Sequence, residues 1–250
     1  MKLNISIGPA TVAIRLEQGF SLVELMVAMV IGLIVLLVVG TLFMNSRQTY
    51  LAQDASSRLQ ENARYANELF GRQIRSAGYT ATSFNPLSGA DLFAKPPSTK
   101  FSGTAISGVE VSGGSDTLTL SFDGSKDCVG QVATQPSNLF RVNSSSQLEC
   151  VAGGNVGVIL DDVESMQVTY REKDKTAYDS ASAVNMANVT SVRICLLLRA
   201  KADGNQRATE SGQGQTYDDD CSAATVPVSK SDGYIRRAIG MTFVLRNQMP

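Results

Sequence analysis

The sequence predicts an α+β fold in which one long N-terminal helix packs on an antiparallel β-sheet head. Leu25–Met44 is a run of twenty residues without a charge, mostly Val, Leu, Ile and Met. From Leu51 to Ala77, apolar residues recur at steps of three and four, the period of one helix face. Beyond residue 116, apolar and polar residues alternate in short runs, the period of a half-buried strand.

The helix is predicted over residues 21–77, about 85 Å at 1.5 Å per residue. A helix needs about 20 apolar residues to cross the hydrocarbon core of a membrane, and the first half supplies them. In the second half, Leu51, Ala55, Leu59, Ala63, Ala66, Leu69, Phe70, Ile74 and Ala77 form the apolar stripe. The opposite face is polar, with Asp54 and Arg58 four apart and Arg64, Glu68 and Arg72 in a ladder at the same spacing. Gly78 suits the helix end. The stripe follows a broad 3.6 period rather than strict heptads, which favours packing on a head over a coiled coil.

Residues 79–116 are rich in Ser, Gly, Thr and Pro and read as an irregular connection with one short strand. Strands are then expected at Thr117–Phe122, around Met166, Val168 and Tyr170, at Val192–Arg199, and around Ile239, Met241, Phe243 and Leu245. Each has one apolar face, as in an antiparallel sheet with one buried side. Laying the amphipathic half-helix on that side completes a two-layer α+β unit. The domain boundaries follow: a polar leader 1–19, a membrane and assembly half-helix 20–45, an amphipathic half-helix 46–78, and a β-rich head 79–250.

The junction at Gly19–Phe20 is unusual. The leader is mixed, with Lys2 and Arg15 positive and Glu17 negative. An ordinary secretory signal carries its apolar region before the cleavage site. Here the apolar run follows Gly19, so a cut after Gly19 removes the leader and keeps the anchor. Positive charge before the span favours a cytoplasmic N-terminus, although Glu17 offsets part of it and Arg47 lies just past the span. Glu24 is the exceptional residue of the span. A carboxylate there costs roughly 2.5–3.5 kcal/mol at the membrane centre and less near an end. Cleavage would create an α-amino group on Phe20, which Glu24 of a neighbouring subunit could neutralise in an assembled bundle. On the residues alone, a glutamate marking the interfacial edge of a simple anchor remains open.

Composition narrows the chemistry. The chain has no His, which removes Ser–His and Cys–His catalysis and the commonest transition-metal ligand. The net charge of -1 lacks the basic footprint of nucleic-acid binding. Cys128, Cys150, Cys195 and Cys221 contain no C-x-x-C pair, and their even number fits two disulfides in an oxidising compartment. Pairing neighbours in sequence gives Cys128–Cys150 and Cys195–Cys221; the interleaved rival is Cys128–Cys195 with Cys150–Cys221. Cys195 is expected on the less buried face of its strand. Asp123 with Asp127, and Asp218-Asp219-Asp220, lie in Gly/Ser-rich loops without the spacing of a calcium loop and read as solvated charge. Arg236-Arg237 reads as a solvated surface pair, and Lys173 and Lys175 as part of a charged turn. No nucleophile–base pair is visible, no metal or cofactor is called for, and no enzymatic activity is expected.

Gly19-Phe20-Ser21-Leu22-Val23-Glu24 followed by a long apolar run resembles the prepilin signature of type IV pilins and type II secretion pseudopilins. The resemblance covers about residues 12–45. It implies that a prepilin peptidase cuts after Gly19 and N-methylates Phe20, and that Glu24 serves assembly. One departure is the absence of proline in residues 20–50, where many major pilins carry a helix-bending one; Gly32 and Gly40 are the soft points. The segments Asp161–Tyr170, Val192–Leu197 and Arg236–Asn247 look like the head of the PilW kind of minor pilin, with the J-type minor pseudopilin a structural cousin. The resemblance implies a pilin-like fold and a minor pilin that helps initiate or assemble a type IV pilus for adhesion and twitching motility. Its partners would be the inner membrane, the major pilin, other minor pilins, prepilin peptidase and the assembly platform, with no nucleic acid. Before assembly it would be a single-pass inner-membrane protein with a periplasmic head; afterwards it would lie in the pilus at the cell surface. The alternatives are a minor pseudopilin of a secretion system and a membrane-anchored periplasmic adhesin or binding module.

Overall fold

The computed structural model describes residues 21–80, 101, 103–201, 215–217, 223–227 and 233–248. The chain divides into two compact units, Met1–Thr49 and Tyr50–Pro250. In the first unit the described residues form the opening part of helix α1 (Leu22–Ser76), and every described side chain there is exposed. Gly32 and Gly40 are accommodated without interrupting the helix.

The second unit holds the rest of α1 and the head. Ala55, Leu59, Ala66, Phe70 and Ile74 are the buried apolar face of this half-helix. Phe70 meets Phe140 edge-on, with ring centroids 5.4 Å apart, the geometry favoured by the ring quadrupoles. Gly78 ends the helix at φ 70°, a left-handed conformation that costs glycine no steric strain. Its N–H donates to the Ser121 carbonyl at 2.9 Å. The Asn247 amide, from the far end of the chain, donates to the carbonyls of Arg75 and Ala77 at 3.0 Å each. Two acceptors that the helix end would otherwise leave open are thereby satisfied. Of the polar-face pairs, Asp54–Arg58 closes at 3.0 Å and Glu68–Arg72 at 3.8 Å. Arg64 does not close the ladder.

The strands are β1 (Ile106–Val109), β2 (Thr117–Ser121), β3 (Ser137–Val142), β4 (Gln147–Ala152), β5 (Asn155–Asp161), β6 (Val163–Glu172), β7 (Val189–Lys201), β8 (Gln215–Tyr217), β9 (Ala223–Pro227) and β10 (Tyr234–Val244). They form three antiparallel sheets rather than one: a five-stranded meander β1-β2-β3-β4-β5, a three-stranded sheet β10-β7-β6, and a two-stranded β8-β9. Ile106, Leu118, Leu120, Phe140, Leu148, Met166, Tyr170, Ile194, Leu196 and Leu198 join Phe70 and Ile74 in one core.

The two larger sheets are stitched together at the entrance to β2. The N–H of Asp116 donates to the Met166 carbonyl at 2.8 Å, and its carboxylate accepts the N–H groups of Val111 and Val168 at 2.9 Å each. Gly108 is required at its position. A Cβ there would stand 1.9 Å from the Tyr170 hydroxyl and 2.9 Å from the Thr117 carbonyl.

Two expectations change. The expected strand segments carry strands, but β3, β4, β5, β8 and β9 lie where no strand was read. In β7 both faces are covered from Ile194 to Leu198, so Cys195 is 3% exposed instead of lying on an open face.

Candidate functional site

The N-terminal site begins at the first described residue. Ser21 stands just before the helix, and its carbonyl accepts the N–H of Leu25 at 3.1 Å. This places Glu24 in the first turn of α1, where backbone N–H groups favour a negative charge. Ser21 and Glu24 have the spacing of a capping box. Nevertheless, among the described residues the Glu24 carboxylate makes no hydrogen bond and no ion pair. It is the single acid on a stretch of helix whose neighbours Leu22, Val23, Leu25, Met26 and Val27 are each more than half exposed. The opening part of α1 is strongly apolar and buries nothing of itself, so the helix is long and apolar enough to cross a membrane. Gly19 and Phe20 lie outside the described residues.

In the head, Cys128 and Cys150 form a disulfide, with Cα atoms 6.3 Å apart and a separation of 22 residues. It ties the loop after β2 to the buried centre of β4. The loop is shaped for this: Asp127 accepts the N–H groups of Val129 and Gln131 at 2.9 Å, and Asn138 accepts that of Cys128 at 3.1 Å. Asp127 is therefore a turn-forming residue, and Asp123 accepts from the Gln135 amide at 3.0 Å. No cluster of three metal-ligating side chains occurs among the described residues. Cys195 is also disulfide-bonded. Cys221 lies outside the described residues, as do Asp218, Asp219 and Asp220.

Arg236 is the charge that local sequence placed wrongly. It is 3% exposed, and its Nε donates to Glu164 at 2.5 Å. Burying that guanidinium requires such a partner, and Glu164 lies 72 residues away in sequence. Arg237 remains exposed. In the charged turn, Lys175 pairs with Glu172. Hydrogen bonds from Lys175 and from the Asn185 N–H hold the Glu172 carboxyl below its ordinary range. Burial pushes the Asp116 carboxyl up, against the two N–H donors. Burial, with Asp116 nearby, likewise pushes the Tyr170 phenol above its usual range. The Tyr170 hydroxyl is buried without a hydrogen-bond partner. Asp116 and Tyr170 lie at the junction of the sheets and Glu172 at the end of β6; among the described residues these groups do not assemble into a nucleophile with a base.

Comparison with known proteins agrees at both ends of the chain. The family model described as prokaryotic N-terminal methylation motif matches residues 14–40. The model for type IV pilus-assembly protein W matches residues 128–247. Among solved structures, a type IV-like pilin from Thermus thermophilus is similar at 16% identity and a TM-score of 0.45, over 77% of this chain and 100% of that one. No curated protein matches the chain. The methylation motif on an uncovered apolar helix and a head similar to pilus-assembly protein W together support a type IV pilin-like protein of the minor-pilin kind.

Proposed function

We propose that this chain is a minor pilin that helps initiate or assemble a type IV pilus, and so contributes to adhesion and twitching motility. Prepilin peptidase removes residues 1–19 and methylates Phe20. The subunit then waits in the inner membrane with its head in the periplasm. At the assembly platform its apolar helix leaves the lipid for the core of the filament, among the major pilin and other minor pilins. The head acts by contact rather than by catalysis.

One observation carries this reading. Among the described residues Glu24 has no partner, and it stands on a helix surface otherwise suited to hydrocarbon. A charge there is costly unless paired. The new amine of a neighbour's Phe20 supplies the opposite charge in a bundle and has no counterpart around a solitary anchor. Glu24→Ala therefore leaves membrane insertion intact, since the span becomes more apolar, but removes the subunit from sheared pili. Recovery of the variant in sheared pili at the wild-type level, with normal pilus number, would refute the assembly role.

A further inference from the structure

We propose that the outer face of the three-stranded sheet carries a carboxylate-binding site, built from Arg171, Arg193 and Thr169, that takes a short acidic peptide segment of a partner protein. Arg171 and Thr169 are two residues apart on β6, and Thr169 stands opposite Arg193 of β7 in the register. Side chains at these positions leave the same face of the sheet. Both guanidiniums flank the Tyr178 ring, with their central carbons 4.2 Å (Arg193) and 5.4 Å (Arg171) from its centroid. They therefore lie within roughly 10 Å of each other on one aromatic platform. The ring is held in place: its hydroxyl is 2.8 Å from the Ser191 hydroxyl, which in turn donates to the Phe243 carbonyl at 2.9 Å.

The donors of this cluster are unspent. Among the described residues, neither Arg171 nor Arg193 makes a side-chain hydrogen bond or an ion pair. Both are half-buried. The Thr169 hydroxyl, on a residue only 5% exposed, also has no partner. A buried polar group without a partner costs free energy that a ligand can return. The rest of the same face provides the contrast. Arg199 has its charge balanced by Asp162 at 3.6 Å, although its buried Nε makes no hydrogen bond, and Arg236 is paired with Glu164. Positive charge is thus left open at one spot and not along a stripe. Such a patch suits one or two carboxylates on a short segment, each gripped by a planar guanidinium fork. A nucleic acid or an anionic membrane would call for an extended basic surface.

The test uses the full-length chain in detergent and a fluorescein-labelled hexaglutamate peptide, read by fluorescence anisotropy. Hexaglutamine and inorganic phosphate at matched ionic strength are the comparisons. Wild-type protein is expected to bind hexaglutamate and not hexaglutamine. R171Q/R193Q should weaken binding about tenfold or more by removing both forks. R171K/R193K, which keeps the charge and loses the fork, should fall between. Near-ultraviolet circular dichroism checks folding. Thr169→Val discards an unbonded hydroxyl at nearly constant volume and replaces the double variant should that one not fold; it should weaken binding several-fold. Unchanged affinity in the folded variants would overturn the site. Displacement by phosphate as effective as by unlabelled hexaglutamate would overturn its assignment to an acidic peptide.

Discussion

Gly108→Ala tests the packing at the junction of the two larger sheets. The added Cβ would lie 1.9 Å from the Tyr170 hydroxyl oxygen and 2.9 Å from both the Tyr170 ring and the Thr117 carbonyl. Non-bonded atoms rest at roughly 3.5 Å, so the hydroxyl must retreat by well over an ångström. Tyr170 is 0% exposed and has no room to swing out. Overpacking of this kind costs about 1–3 kcal/mol. An approach of 1.9 Å puts the cost at the upper end of that range; the gain of roughly 0.5–1 kcal/mol from replacing Gly in a strand then leaves a net loss of about 2 kcal/mol. Tyr170→Phe should be nearly neutral alone, because the hydroxyl it removes has no hydrogen-bond partner. In that background Gly108→Ala should cost about 1 kcal/mol less, since the nearest clash is gone while the ring contact remains. Urea unfolding of all four proteins, followed by near-ultraviolet circular dichroism, closes the cycle. A Gly108→Ala cost below about 0.5 kcal/mol, or an equal cost in both backgrounds, would refute the reasoning.

Replacing Cys128 and Cys150 by Ser should destabilise the head by roughly 3 kcal/mol, as chain entropy predicts for the loop they close, measured by the same unfolding assay. A loss under about 1 kcal/mol would mean that the loop is held without the staple. Non-reducing peptide mapping should join Cys128 to Cys150 and Cys195 to Cys221; a peptide linking Cys128 to either of the other two contradicts the pairing. Glu172→Gln should flatten the acid limb of the stability profile. With the folded carboxyl held low, the unfolded chain binds more protons in that range, so stability is lost as pH falls through it. An unaltered acid limb in urea midpoints collected from neutral pH downward would rule this out.

What was legible in the sequence was local. The helix stands at Leu22–Ser76 against a prediction of 21–77, because period and Gly78 are both written in adjacent residues. Strands β2, β6, β7 and β10 alternate openly. Strand β3 hid because its buried positions are Asn138 and Phe140, and the Asn138 amide donates to Gln73 of the helix. Strand β4 hid because Glu149 is buried within it, paired with Arg141 at 3.2 Å. At the sheet edge, β5 leaves Val156 and Val158 exposed and carries Gly157, which blurs its alternation. A signal for the β4–β5 hairpin was present in Gly153-Gly154, which turn at φ 55° and 81°.

Long-range partners were not legible. Arg236 looked solvated because Glu164 is remote in sequence, and Cys195 looked open because strand alternation carries no information about what covers the second face. The Tyr178 platform joins a loop to two strands, and no spacing rule announces it. At the N-terminus the expectation drawn from Gly19, Phe20 and Glu24 needs no remote partner, since the three lie within six residues.

How the mature chain begins is the most direct test of the proposed function. Intact-mass analysis of the protein extracted from membranes should find residues 20–250 with a single added methyl group, and tandem fragmentation should place that methyl on the α-amine of Phe20. A chain that keeps residues 1–19, or one cut at any other bond, would contradict the account.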